Sequence, residues 1–326
     1  MTKIDESKIF KYKLRNTFQT ILLIMALLIT LGLLGWLIGG GFIAFYAIVL
    51  VIILYFVNPV LSPQLILKMY RTQPIMPYQA PNLHAILKIL AQRAELPFIP
   101  QLFYLPSDVM NAFAVGTPEN SAIALSDGIL RRLSPHEIAG VLAHEISHIM
   151  NADIQIMGFA DLVSRLTNFL AWIGQVFLIL NIFLLLFFGT YLISWFAIII
   201  LILAPIGTDL LQLALSRNRE YDADLGATQL LGDPTPLVAA LLKMERYQGR
   251  FWEQIWWPGQ HSPEPSLLRT HPSTKERIKR LLELREHYYL NKWIKKPIPF
   301  QIDLPLSLFI AHTPLRPRWH INGIWF

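Results

Sequence analysis

A chain of 326 residues that is 54% hydrophobic and only 15% charged is not composed like a soluble domain, where about a quarter of residues carry charge. The absence of cysteine excludes disulfides and thiolate metal sites, so nitrogen and oxygen must supply any metal ligands. A net charge of +6 without any nucleic-acid motif points to anionic lipid headgroups rather than to nucleic acid.

Residues 1–17 read as a basic amphipathic lead-in. From Asn16 to Leu67 there is no Asp, Glu, Lys or Arg, and the same holds from Leu166 to Thr208. One transmembrane helix needs roughly 20 apolar residues, so each tract holds two spans, placed near 18–38, 41–58, 168–187 and 191–207. A buried core hairpin is the competing reading, but both tracts are too long for it. Gly39-Gly40-Gly41 and Gly189-Thr190 are short, uncharged connectors, so each tract leaves and returns on one side. That side carries Lys8, Lys11, Lys13, Arg15, Lys68, Arg71, Arg165, Arg217 and Arg219, and the positive-inside rule makes it cytoplasmic. The first tract is too long for a cleaved signal peptide.

Between the tracts lies a compact α/β pattern. Pro81 opens a helix through about Glu95, with Leu83, Ile86, Leu87 and Leu90 on one face. Extended runs follow at Gln101–Leu105, Ala112–Val115 and Ala122–Leu125, separated by turn-forming segments. Ser134-Pro135-His136-Glu137 is a capping box with proline at the first helical position. The helix it opens carries Ile138, Val141, Leu142, Ile146 and Ile149 on its apolar side and is expected to run unbroken into the third span.

That helix presents His144-Glu145-Ile146-Ser147-His148. Two histidines four apart share a helical face and can close on one Zn²⁺, while Glu145 stands ready to take a proton from a polarised water. Such a pentad arises by accident on the order of once in a hundred chains of this length, so supporting residues are required. A catalytic zinc takes three protein ligands and keeps a position open. Ile154 occupies the position where a metzincin would place a third histidine, which leaves a carboxylate on a second helix. Glu220 is the candidate, with Asp224 one turn further on the same face to accept the free N–H of a ligating imidazole. At about 1.5 Å per residue, His148 stands roughly 27 Å along its helix from Leu166, and Glu220 roughly 18 Å along its own from Thr208. The mismatch falls within the roughly two to four residues by which span ends are uncertain at each end, so the two helices can bring the three groups to a similar height. The competing reading of Glu220 is an ordinary solvated helix charge.

Beyond it, Gly232-Asp233-Pro234 ends the helix, residues 236–248 form another, and residues 250–270 form a Trp- and Pro-rich loop with Trp252, Trp256 and Trp257 as interfacial anchors or packing residues. Ser273 and Glu276 form a second capping box for a helix with Ile278, Leu281 and Leu282 on one side. On that helix Arg277 is read as a solvated charge, with pairing to a site carboxylate as the alternative.

Asn111-Ala112-Phe113-Ala114, Glu137 to His148 with Asn151 and Asp153, Arg219-Glu220-Tyr221-Asp222-Ala223-Asp224, and Thr270-His271-Pro272 together resemble the HtpX-like membrane zinc metalloproteases, relatives of the CAAX prenyl proteases. The resemblance covers roughly residues 10–290 in matching order. It implies a mainly α fold with a small β-sheet, a gluzincin-type zinc metallopeptidase domain joined to two transmembrane helical hairpins. It implies an integral membrane endopeptidase with one Zn²⁺ per chain, acting on misfolded or membrane polypeptides from the cytoplasmic face of a bacterial inner membrane. By resemblance His144, His148 and Glu220 are the zinc ligands, Glu145 the general base and Asp224 the outer carboxylate. Asn111 and Ala112 then belong to the edge strand that receives substrate; a plain turn before a strand is the alternative. His271 stabilises the oxyanion, or is simply a helix-start histidine. His136, the three tryptophans and the tail after Lys296 have no counterpart in the pattern.

The expected organisation is 1–17, basic segment; 18–58, first hairpin; 59–165, first part of the catalytic domain; 166–208, second hairpin; 209–296, second part with the third ligand; and 297–326, tail. Polypeptide substrate and lipid bilayer are the expected partners, and oligomeric state has no signal. The rival from another class is a four-span scaffold or chaperone-like protein with a degenerate metal site. A transporter is disfavoured because the tracts hold no charged residue. An intramembrane protease is disfavoured because Asn151, Asp153 and Asp161 closely follow the pentad, and no anchor for a substrate amine suggests an aminopeptidase.

Overall fold

The structure is a computed structural model and describes residues 6–57, 63–254 and 274–288. The chain runs α1 (Glu6–Val57), α2 (Pro63–Met69), β1 (Gln73–Pro74), α3 (Pro81–Arg93), β2 (Gln101–Leu105), β3 (Ala112–Thr117), β4 (Asn120–Ser126), α4 (Asp127–Arg132), α5 (Pro135–Met150), α6 (Asp153–Phe188), α7 (Trp195–Leu231), α8 (Thr235–Gln254) and α9 (Thr274–Tyr288). It is mainly helical with a small mixed sheet. Two compact units share it: Arg15–Val60 with Gln155–Asn218, and the remainder.

Among the described residues, three helices are long and apolar enough to cross a membrane, Lys11–Tyr55, Asp153–Phe188 and Trp195–Leu231, and most of their length falls in the first unit. The first is not straight. Gly39 and Gly40 leave helical geometry, Gly40 at φ 71°, where a Cβ would be strained. Beyond this break the chain returns along itself, so closely that a Cβ on Gly35 would lie 2.9 Å from the Ala44 Cα. Gly189, at φ 66°, follows α6, and the buried Asn181 side chain satisfies the turn that leads into α7. Its Oδ1 accepts from the Leu192 N–H at 2.9 Å and its Nδ2 donates to the Ile193 carbonyl at 2.6 Å. Backbone groups placed in lipid have no water to turn to, so a side chain must serve them. The interior of this unit is apolar around Leu27, Leu31, Val51, Val163 and Leu201, with the Ser164 hydroxyl donating to Gln212 at 2.9 Å.

In the second unit the sheet order is β1-β2-β4-β3, with β2 and β4 parallel and the outer pairs antiparallel. Alternation along the strands sorts side chains onto two faces. Leu102, Ile123 and Leu125 join the main core with α3, α5 and α8; Phe103, Phe113, Val115, Ala122 and Ala124 pack with Leu67 of α2. The capping box forms as read. Ser134 Oγ accepts from the Glu137 N–H at 3.4 Å, and Glu137 Oε2 accepts from the Ser134 N–H at 2.6 Å and from Lys243 Nζ at 2.7 Å.

The unbroken helix from the pentad into the third span does not form. The α5 helix stops at Met150, Ala152 adopts φ 55°, and α6 restarts at Asp153. The break falls at Asn151-Ala152, where neither glycine nor proline stands, so a search for Gly or Pro breakers passes over it.

Candidate metal centre and active site

His144 and His148 stand one turn apart on α5, their Nε2 atoms 3.1 Å from each other. The third group comes from α7, which lies close to α5 because residue 226 is glycine. A Cβ there would sit 2.0 Å from the Ser147 Oγ, deep inside contact distance. The close approach places Glu220 Oε2 3.4 Å from His144 Nε2 and Oε1 3.6 Å from His148 Nε2. One ligand atom from each of the three residues falls within 4.8 Å of the others.

The outer atoms of the imidazoles are held by carboxylates. His144 Nδ1 lies 3.2 Å from Asp224 Oδ1, and His148 Nδ1 lies 2.8 Å from Asp153 Oδ2. With each Nδ1–H donated outward, each neutral ring turns an Nε2 lone pair inward. Two lone pairs and a carboxylate converging in a buried space form a set of acceptors that a cation reconciles. For bonds of about 2.0–2.1 Å, two ligands of a tetrahedral zinc stand about 3.3–3.4 Å apart. The two ring nitrogens, 3.1 Å apart, stand close to that edge, and Glu220 turns one oxygen toward each ring, Oε2 at 3.4 Å from His144 and Oε1 at 3.6 Å from His148. The donor set therefore fits a divalent metal with three protein ligands.

The field agrees. Burial and the Arg277 charge both press the His144 imidazole down, but Asp224 and Glu220 outweigh them and lift it to about 9. His148 is raised as well: burial opposes it, and the Asp153 hydrogen bond prevails. The Asp224 carboxyl is held below its usual range because Arg277 and His144 overcome its burial. A site that draws protons onto its imidazoles offers the same charge environment to a metal.

The reading of Arg277 as a solvated charge is corrected. It is only 5% exposed and reaches Glu220 Oε2 at 3.0 Å, with a two-pronged grip on Asp224 at 2.7 and 2.9 Å. From α9 it thus ties Glu220 and the carboxylate behind His144 to one cation. Arg219 likewise pairs with Asp153 and, at 2.8 Å, with Asp222. The contact of Asp153 with His148 was missed in the sequence because an unbroken helix would turn position 153 away. Glu145 is buried beside His144 and lies within electrostatic reach of Arg277.

Asn111 immediately precedes β3, and Ala112 opens it; β3 is an outer strand of the sheet and packs on α5. His271, Ser273, Trp256, Trp257 and the tail lie outside the described residues. Trp252 falls on α8, which is longer than the expected helix.

Residues 77–285 match the sequence model of Peptidase family M48. The chain is 34% identical over 287 residues to a Protease HtpX homolog of Desulfatibacillum aliphaticivorans, covering 83% of this chain and 90% of that one. It is 36% identical over 288 residues to a Protease HtpX homolog of Campylobacter hominis, covering 82% and 98%. A crystal structure of S. mikatae Ste24p aligns with a TM-score of 0.48 at 19% identity, covering 84% of this chain and 66% of that one. The chain therefore belongs to Peptidase family M48, among the HtpX-like membrane metalloproteases.

Proposed function

We propose that the chain is an integral membrane zinc endopeptidase that cleaves misfolded or membrane polypeptides on the cytoplasmic side of a bacterial inner membrane, as part of membrane protein quality control. The observation that carries the chemistry is the convergence of His144, His148 and Glu220 within 4.8 Å. These three residues would hold a Zn²⁺, which when bound would lower the pKa of water to about 7 and polarise the scissile carbonyl. Glu145 takes the proton of the attacking water and hands it to the leaving amine. Asp224 fixes the tautomer of His144. His271 is proposed to steady the developing oxyanion.

Substrate is laid along the free side of β3. The Ser126 N–H donates to the Asn111 carbonyl at 2.9 Å, so residue 111 faces β4. Alternation in an antiparallel pair then turns the Ala112 N–H and carbonyl outward, where an extended peptide can add as a strand. Backbone pairing of this kind tolerates varied side chains, which suits a protease of damaged proteins.

The break at Gly39 and Gly40 supports counting α1 as two spans, four in all. The basic flanks support a cytoplasmic active site. Because the chain has no cysteine, single introduced thiols report sidedness without background. Gly41→Cys and Thr190→Cys are expected to react with impermeant reagent from outside the cell, and Glu119→Cys only after permeabilisation; the reverse pattern refutes the orientation.

The test of the chemistry is Glu145→Gln. It is expected to keep stoichiometric zinc and lose cleavage of an unfolded protein substrate by about 10²–10⁴-fold. Undiminished cleavage removes Glu145 from the mechanism, and a parent chain that binds zinc yet never cleaves favours the scaffold reading.

A further inference from the structure

The carboxylate that meets His148 Nδ1 is itself held in place, and what holds it defines its part in the site. Asp153 is 3% exposed, and both of its oxygens engage side chains: Oδ2 the His148 Nδ1 at 2.8 Å, Oδ1 the Arg219 Nε. The ring contact is shorter than its counterpart between His144 and Asp224, at 3.2 Å. Arg219 is itself braced by Asp222 at 2.8 Å, so the buried Asp153, Arg219 and Asp222 continue as one chain from the partly buried His148 ring.

The backbone is bent to make this contact. In a continuous helix, position 153 would lie about 140° around the axis from position 148 and face elsewhere. The break at Ala152, with φ 55° on a residue that carries a Cβ, swings Asp153 back onto the ring. Strain retained at such a place marks a constraint imposed by the surroundings. An acidic residue at a helix start is ordinarily a cap, but here each oxygen is engaged by a side chain, one from α5 and one from α7. Arg219 also sits directly before Glu220, so one turn of α7 supplies both the third ligand and the group that anchors Asp153.

We propose that Asp153, anchored by Arg219, is the positioning residue for His148, fixing its tautomer and ring orientation for the metal. Each ligating imidazole is then backed by a carboxylate gripped by a buried arginine: Asp224 with Arg277 for His144, Asp153 with Arg219 for His148. The inference rests on the metallopeptidase reading of the same site.

The experiment uses the full chain in detergent. Zinc affinity is measured by chelator competition, and the visible spectrum of the Co²⁺-loaded form reports ligand geometry. Asp153→Ala is expected to weaken zinc binding by about 10–100-fold and to shift the Co²⁺ band, with kcat falling and KM little changed. Asp153→Asn keeps an acceptor for the Nδ1–H but loses the ion pair, and is expected to lose affinity by an intermediate factor. If Asp153→Ala does not fold, Asp153→Asn decides: a several-fold loss supports the proposal and unchanged affinity overturns it. A parent that binds zinc beside an Asp153→Ala chain with the same affinity and spectrum overturns this inference alone. A parent that takes up no zinc overturns the peptidase reading with it.

Discussion

The unit of Arg15–Val60 with Gln155–Asn218 and the unit that holds the metal centre bury opposite things. In the former, large apolar side chains point outward, Leu186 at 75% exposure and Ile179 at 70%, while Asn16, Thr20, Thr167, Asn181 and Asn218 are enclosed. In the latter, Leu87, Ile123, Ile138 and Leu142 are enclosed, and so are the charged groups of the site. The first pattern belongs to a protein surface whose solvent is hydrocarbon, where internal polar groups need each other. The second belongs to water, with one exception: a buried set of carboxylates, imidazoles and guanidiniums that is tolerable because each charge has an opposite. One chain meets two solvents, and polar groups go inside in each for a different reason.

The contrast can be broken at its strongest point by removing a buried charge. Arg277→Leu leaves Glu220 and Asp224 facing each other without their shared cation, and should cost about 3–5 kcal/mol of stability in the metal-free chain. A melting temperature in detergent unchanged from the parent would show that Arg277 is dispensable. The effect should shrink when zinc is present, because the metal supplies the missing charge.

A smaller effect is expected at Asn181. Asn181→Leu strips the turn after α6 of its acceptor and donor, and should destabilise the hairpin by about 1–3 kcal/mol. Protease nicking near residues 189–194 should increase. Equal resistance in parent and variant would mean that the backbone there finds other partners.

The smallest effect separates water-facing chemistry from the metal site. Burial raises the Glu137 carboxyl, but the hydrogen bonds from Lys243 and Ser134 prevail and leave its pKa below the usual 4.5. A lowered folded pKa gives a contribution that is full above about pH 4.5 and fades as pH falls through the folded value. Glu137→Gln should therefore lose about 0.5–2 kcal/mol at neutral pH and approach the parent on acidification. A difference between the two that stays constant with pH would place the loss elsewhere.

Much of this fold is legible in local pattern. The β2 strand spans the residues read as extended, and α5 begins at the proline of its capping box, because strand alternation and helix caps are local signals. The glycine connectors are visible for the same reason. What local pattern hides is decided by neighbours far along the chain. Arg277 looks like a solvated charge among Lys275, Glu276, Lys279 and Arg280 until α9 docks and buries it. Gly226 looks like a mild helix breaker until α5 lies against it. Ala152 carries no sequence mark of a left-handed residue, so the bend that brings Asp153 to His148 is invisible before the fold exists. At the site, the grouping of His144, His148 and Glu220 follows from spacing and helix geometry, while the arginines behind them do not.

The central claim is that two imidazoles and a carboxylate from α5 and α7 share one zinc ion. Zinc K-edge X-ray absorption on the purified, zinc-loaded chain addresses it directly. The account predicts two imidazole nitrogens and additional light oxygen ligands at about 2.0–2.1 Å, with one nitrogen lost in His148→Ala and one oxygen in Glu220→Ala. A spectrum without imidazole scattering, or one that neither substitution changes, would contradict it.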